Sequence, residues 1–217
     1  MLGTAINISR VHFPVTTLGP GNRIGIWFQG CSIRCPGCIS VDTWDSKNSG
    51  LITSADLLSQ INIWMKDADG VTISGGEPFD QPEGLLAILN GLVLEAHQDV
   101  LVYSGYPFEK INTTAASKCG RIDALISDPF DISKPQNLAL RGSDNQRLHL
   151  LTELGRKKFI SYDRPRKQSD LSLDVMFDTD GSVWLAGIPK RGDLQKLQEL
   201  LRSQGHLIAT SEDKRSL

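Results

Sequence analysis

Cysteine is scarce in this chain, with four in 217 residues. That number is too small for the disulfide-dense scaffolds of small secreted domains. Aromatic residues make up only 6%, and no apolar run approaches the roughly 18 residues that a membrane-spanning helix needs. Neither sign of charge dominates: 23 Lys and Arg stand against 25 Asp and Glu, for a formal net charge of −2. This balance predicts no general attraction to nucleic acid or to acidic membranes, and neither is expected as a partner. The opening "MLGTAINISRVHFPV" has no basic region followed by an apolar stretch, so a cytoplasmic protein with reduced thiols is expected. A chain of this length suits one medium domain and buries roughly 70% of its unfolded surface without cross-links.

What is present is a rhythm of strands and helices. "RIGIWFQG" (23–30) reads as a strand, and "SADLLSQINIWMKDA" (54–68) as a helix with Thr53 or Ser54 as N-cap. "GVTISGG" (70–76), "DVLVYSG" (99–105) and "IDALISD" (122–128) read as further strands. A helix is expected from Pro82 to His97, and a weaker one over 108–118. Strands alternating with helices predict an α/β fold with a largely parallel sheet. Beyond Asp128 the rhythm changes. The stretch 156–168 is rich in Lys and Arg and is expected as an exposed connection. A hairpin around Asp180-Gly181 is expected over 173–189, followed by an amphipathic helix over 192–205.

Three of the four cysteines, Cys31, Cys35 and Cys38, fall within "GCSIRCPGC" (30–38). Their spacing would line one face of a helix, but Pro36 breaks the helical ladder and Gly37 weakens it. A loop that wraps around something fits better than a core stripe. Structural zinc asks for four closed ligands, as do the sites of electron-transfer ferredoxins. The fourth cysteine, Cys119, is distant, and a lone cysteine at a helix end is commonly a small buried hydrophobe. Three thiolates on a cubane of four irons would leave one iron open to a substrate. His12, His97, His149 and His206 form no ligand spacing. "DTDGS" (178–182) fails the calcium-loop pattern, because Pro189 stands where the bidentate glutamate belongs.

Cys-x3-Cys-x2-Cys after a strand resembles the cluster loop of radical S-adenosylmethionine (SAM) enzymes. "GPGNR" (19–23) before it and "DTW" (42–44) after it resemble the opening of the enzymes that activate glycyl radical enzymes. "SGGEP" (74–78), "YSGY" (103–106) and "RGSDNQ" (141–146) further resemble the family of anaerobic ribonucleotide reductase activating proteins. The likeness covers about residues 5 to 150. It implies a partial (β/α) barrel and an oxidoreductase whose cofactors are a 4Fe–4S cluster on Cys31, Cys35 and Cys38 and a SAM molecule on the open iron. An electron from the cluster would split SAM, and the 5′-deoxyadenosyl radical so released would take a hydrogen atom from a glycine of the partner. The implied partners are a glycyl radical enzyme, here an anaerobic ribonucleotide reductase, and a flavodoxin or ferredoxin as reductant.

The same resemblance implies that Gly75, Gly76 and Glu77 lie along the methionine part of SAM; read without it, they make a strand-to-helix turn. Ser104 is a candidate for the SAM ribose, or a solvated turn hydroxyl. Asp128 ends the next strand and is a second candidate. Arg141 is expected to pair with the SAM carboxylate through its planar fork, and Asn145 to complete the pocket. Trp44 reads as a packing residue beneath the cluster loop.

A radical SAM enzyme of the same ancestry with another protein, peptide or small substrate is the rival enzyme reading, and a passive zinc or iron–sulfur module the rival outside catalysis. Family members built of the core alone end soon after the segment matching 141–146, whereas this chain runs on to Leu217. The expected organisation is a core over 1–155, a basic linker over 156–172, a hairpin and helix over 173–205 packed on the core, and a frayed tail over 206–217.

Overall fold

The computed structural model describes residues 3–46, 50–177, 182–207 and 210–212. It opens with a strand that the sequence reading leaves unassigned, β1 (Ala5–Val15). Ile6 and Ile8 pack into the main core, and a register slip between Ile8 and Arg10 then shifts the apolar phase to Val11 and Phe13. Such a bulge breaks the two-residue alternation by which a strand is read.

Then follow β2 (Arg23–Phe28), β3 (Leu51–Thr53), α1 (Ser54–Met65), β4 (Gly70–Gly75), α2 (Pro82–Gly91) and β5 (Asp99–Tyr103). Two single-turn helices, α3 (Phe108–Ile111) and α4 (Ala115–Lys118), lead to β6 (Ala124–Ser127), β7 (Arg147–Leu150) and α5 (Glu153–Phe159). Seven strands form one sheet in the order β3-β1-β2-β4-β5-β6-β7. The central four, β2, β4, β5 and β6, are parallel, while β1, β3 and β7 run antiparallel to their neighbours at the flanks. Strands covered on both faces read as continuous apolar runs, and all six residues of β2 are buried. The architecture is the expected α/β, parallel at the centre of its sheet. No helix among the described residues is long and apolar enough to cross a membrane.

Two expected helices are shorter than their sequence pattern. α2 stops at Gly91 rather than His97, because Leu92 turns extended and into the core. The Gln98 side chain then ties the following turn down, donating to the carbonyls of Met65 and Ala68. The helix expected over 108–118 is broken at Asn112–Thr114, where the Thr114 hydroxyl caps α4 by accepting from Ser117 N.

One face of the sheet packs on α1 and α2 through Ile24, Ile26, Phe28, Leu57, Ile61, Leu85 and Ile88. The other face is covered by Phe159 of α5, by Leu140, and by a two-stranded hairpin, β8 (Leu173–Phe177) and β9 (Val183–Gly187). The expected turn at Asp180-Gly181 lies outside the described residues. Met176 and Ala186 of the hairpin meet Val15, Leu18 and Trp27, and the Asp174 carboxylate accepts from the N–H and hydroxyl groups of Thr16 and Thr17. Helix α6 (Asp193–Ser203) follows, with most of its surface exposed. The basic stretch 156–168 begins inside α5, where Phe159 is fully buried.

At the end of the sheet where the parallel strands begin, Arg23 and Asp99 are both completely buried and paired at 2.6 Å. Lys158 adds a second cation to Asp99 at 2.7 Å, and the Arg23 Nε donates to Thr72 Oγ1. Removing one partner of such a pair strands an uncompensated buried charge. Asp99→Ala is expected to cost about 3–5 kcal/mol of unfolding free energy, measured by urea denaturation. An Asp99→Ala variant within 1 kcal/mol of wild type would show that water enters this end of the sheet.

Candidate metal centre

The cysteine loop leaves the carboxyl end of β2 and is closed by its own backbone. Gly30 N donates to Thr43 O at 2.8 Å, Cys31 N to Trp44 O at 3.1 Å, and the Gln29 amide to the carbonyls of Asp42 and Asp45. Arg34 and Gly37 both take positive φ, 50° and 75°, which breaks the helical path that the cysteine spacing allows. All four cysteines are free thiols. Cys119 stands apart: it sits at the end of α4, partly buried against the main core, and its thiol donates to Ala116 O.

Each thiol of the loop faces hydrogen-bond donors. The N–H groups of Ile33 and Arg34 serve Cys31, the Phe130 N–H serves Cys35, and Ser40 N–H with the Trp44 side chain serve Cys38. Trp44 thus does more than pack. Burial nevertheless pushes all three thiols up, Cys35 to about 11, with the neighbouring cysteines adding to the rise there. Among the described residues no three His, Cys, Asp or Glu side chains converge on one ion. A cubane asks for something else, one thiolate per iron corner with donors to the sulfurs. The three thiols and their ring of N–H groups fit that demand.

The end of β4 lies directly against this loop. Gly75 has φ +104°, and a Cβ at Gly76 would fall 2.1 Å from Gly30 O. Glu77 N donates to the same carbonyl at 2.9 Å. The close approach that Gly76 permits is therefore to the cysteine loop, and that of Gly75 is to the backbone of Phe28 at the end of β2. The Glu77 carboxylate is buried and accepts from Phe79 N, Gly105 N and the Ser104 hydroxyl at 2.7–3.0 Å. Glu77 and Ser104 are thus brought together as partners of each other. Asp80, which the sequence reading passed over, accepts from Ser32 N at 2.7 Å and from the Tyr106 hydroxyl at 2.6 Å. Its place three residues after Glu77 was the available signal.

The remaining candidates fall into two groups. Asp128 (φ +81°) is held by Arg147, which donates to both carboxylate oxygens, and by the Ser127 hydroxyl. Arg147 also forks onto Glu109, so the Asp128 carboxylate belongs to an ion network at the β6–β7 end of the sheet. Arg141 is buried at 3% exposure and donates from Nη2 to Asp163, while its Nε and Nη1 have no partner among the described residues. The Tyr103 hydroxyl is likewise buried and without a partner among them. Asn145 donates to Pro129 O, and its own carbonyl oxygen is left over.

A cavity of about 280 Å³ opens beside the loop. Leu18, Trp27, Cys38, Ser74, Tyr103 and Gln146 line it from the core. The opposite wall is residues 185–192 with Leu194 and Glu212. A loop of three thiols at the carboxyl ends of parallel strands, with a cavity at its side, defines a protein built to hold an iron–sulfur cluster against a bound molecule. The chain belongs to the 4Fe-4S single cluster domain family, which it matches over residues 17–149. It is 32% identical over 152 residues to the anaerobic ribonucleoside-triphosphate reductase-activating protein of Salmonella typhi, a match covering 64% of this chain and 96% of that one. The protein of the same name from Enterobacteria phage T4 is 28% identical over 149 residues, covering 66% of this chain and 93% of its own. The pyruvate formate-lyase-activating enzyme of Clostridium pasteurianum is 40% identical over 75 residues, 33% of this chain and 32% of that enzyme.

Burial is the main reason that the Glu77 carboxyl rises from its ordinary 4.5 to about 7, against the pull of its three donors. With the folded value above the unfolded one, the folded chain binds the proton more tightly. The resulting stability is complete below about 4.5 and is lost as pH rises through about 7. Glu77→Gln should therefore gain on wild type as pH is raised across this window, followed by urea denaturation of the iron-free chain. A constant difference between the two proteins would mean that folding leaves the proton affinity of Glu77 unchanged.

Proposed function

We propose that this chain is a radical SAM activating enzyme that installs a glycyl radical on an anaerobic ribonucleoside-triphosphate reductase. The observation that carries the reading is a loop with three thiols and no more, the fourth cysteine being partly buried against the core elsewhere. Cys31, Cys35 and Cys38 would hold three corners of a 4Fe–4S cluster and leave one iron for SAM. When bound, cluster and SAM supply a one-electron cleavage that yields a hydrogen-abstracting oxidant.

The chain's own residues do the rest. Trp27 and Leu18 keep one wall of the cavity apolar and dry. The unpartnered Nε and Nη1 of Arg141 and the unpartnered Tyr103 hydroxyl are buried donors that a carboxylate or ribose oxygen would satisfy. Glu77, clasped by Ser104 and Gly105, fixes the end of β4 against the loop, so that the backbone of Gly75 and Gly76 is presented at a fixed height. Asn145 and Asp128 shape the loop between β6 and β7 rather than reaching outward.

The open sheet is read as the (β/α) barrel of this class, left incomplete beyond β7. The core runs through α5 to Phe159 rather than ending at 155 as the sequence suggests, the connection is then shorter than 156–172, and 173–205 form a hairpin and helix. A flavodoxin or ferredoxin would supply the electron, in the cytoplasm. One observation favours a second reading, a related radical enzyme with another peptide or a small substrate. Residues 185–192 wall the cavity, and the two activating proteins are matched almost end to end by about two thirds of this chain.

Anaerobic reconstitution of the chain, followed by dithionite, SAM and the reductase, should give the doublet of a glycyl radical in electron paramagnetic resonance. Deoxyadenosine without a doublet would favour the second reading. A colourless protein holding zinc and no acid-labile sulfide would end both. Replacement of Cys31, Cys35 or Cys38 by Ala should each abolish the cluster absorbance and SAM cleavage, and cleavage retained in any one would overturn the ligand assignment.

A further inference from the structure

We infer that the C-terminal extension is a clamp on the cluster loop, with Arg191 as its positioning residue; the inference rests on the reading of that loop as the cluster site. The Arg191 Nη1 donates to the Ile132 carbonyl at 2.7 Å and Nη2 to the Asp131 carbonyl at 3.3 Å. Its guanidinium also lies 5.5 Å from the centre of the Phe130 ring. The segment it grips touches the cysteine loop twice. A Cβ on Gly37 would fall 2.5 Å from Ile132 Cδ1, so the Ile132 side chain packs flush on the loop backbone, and the Phe130 N–H is one of two backbone groups that pull the Cys35 thiol down. Arg191 thus fixes the two residues that follow the amide serving a cluster sulfur.

A second contact comes from further along the extension. The Ser211 hydroxyl donates to Ile39 O at 2.9 Å, and Val41 N donates to Ser211 O at 3.2 Å. These bonds hold the strand of loop that leaves Cys38. Gln136 adds a bond from its amide to Pro189 O. The extension is itself anchored at its start, where Asp174 is bound by Thr16 and Thr17. It reaches the cluster loop from both sides of the cavity while forming the wall between them.

Donors to cluster sulfur and exclusion of water both set how tightly a cluster is held and how it is reduced. A loop clamped this way keeps the Phe130 N–H on Cys35 and keeps chelators out. The extension is an integral support of the metal centre, not an appended domain.

The test uses the full-length chain with Arg191→Ala, and Lys196→Ala as a control for loss of a cation on the same extension. In the reconstituted protein, Arg191→Ala is expected to lose cluster absorbance to EDTA about 10-fold faster than wild type. It should also alter the paramagnetic resonance signal of the reduced cluster. Lys196→Ala should change neither, and Arg191→Lys should recover part of the loss. In the iron-free chain, hydrogen exchange should quicken over 128–132 and 36–41 in Arg191→Ala, with 70–75 in β4 unchanged. Exchange equal to wild type over both segments would overturn the clamp. So would an increase shared by 70–75, which would make Arg191 a staple of the whole fold. A wild-type chain that takes up no iron would sink the cluster reading, and the exchange of the iron-free chain would still decide the clamp.

Discussion

The site depends on two stretches of backbone touching with no side chain between them. Gly76 sits so close to Gly30 that a single added carbon would fall 2.1 Å from its carbonyl oxygen. Across that contact Glu77 N donates to Gly30 O, and Gly76 N donates to Phe28 O, so the end of β4 continues the sheet into the cysteine loop. Every other support of the loop builds on this one. Glu77 is fixed by it and then receives Ser104 and Gly105 from β5, and Asp80 follows to receive Ser32 and Tyr106. Three successive strand ends are joined into one platform under the thiols.

The two ends of the parallel strands treat charge in opposite ways. Where the strands begin, Arg23, Asp99 and Lys158 form a closed set in which each buried charge is answered. Such a set holds geometry but offers nothing to a ligand. Where the strands finish, burial raises the three loop thiols and the Glu77 carboxyl, and Arg141 and Tyr103 keep buried donors without a partner among the described residues. Perturbed and unsatisfied groups gathered beside a cavity are the mark of a binding centre. The asymmetry is what makes one end of this sheet a scaffold and the other a site.

The extension changes the meaning of that end. Without it, this face of the sheet would expose Val15, Leu18 and Trp27 to water. With it, those residues become a core, and Cys38 lies at the wall of a cavity rather than on an open surface. The outer hairpin residues Val175, Phe177 and Val183 remain exposed.

Much of this was legible in the order of residues. The cysteine trio could be read as a loop because Pro36 and Gly37 disfavour the helix that its spacing invites, and the parallel strands because short β-rich stretches alternate with helical patterns. Glu77 and Ser104 were visible as members of a site but not as each other's partners, since 27 residues separate them in sequence. β1 was hidden by a bulge that shifts its apolar phase halfway along. The Phe130 amide on Cys35, the carbonyls gripped by Arg191 and the Trp44 contact to Cys38 were beyond any sequence reading. Backbone donors carry no residue identity, and their aim exists only once the chain has folded. Sequence alone determined the number and spacing of the thiols the loop offers, because these are side-chain chemistry at fixed positions. Tertiary structure alone decided which of them are buried, paired or left open, because burial and hydrogen-bond geometry are properties of neighbours distant in the chain.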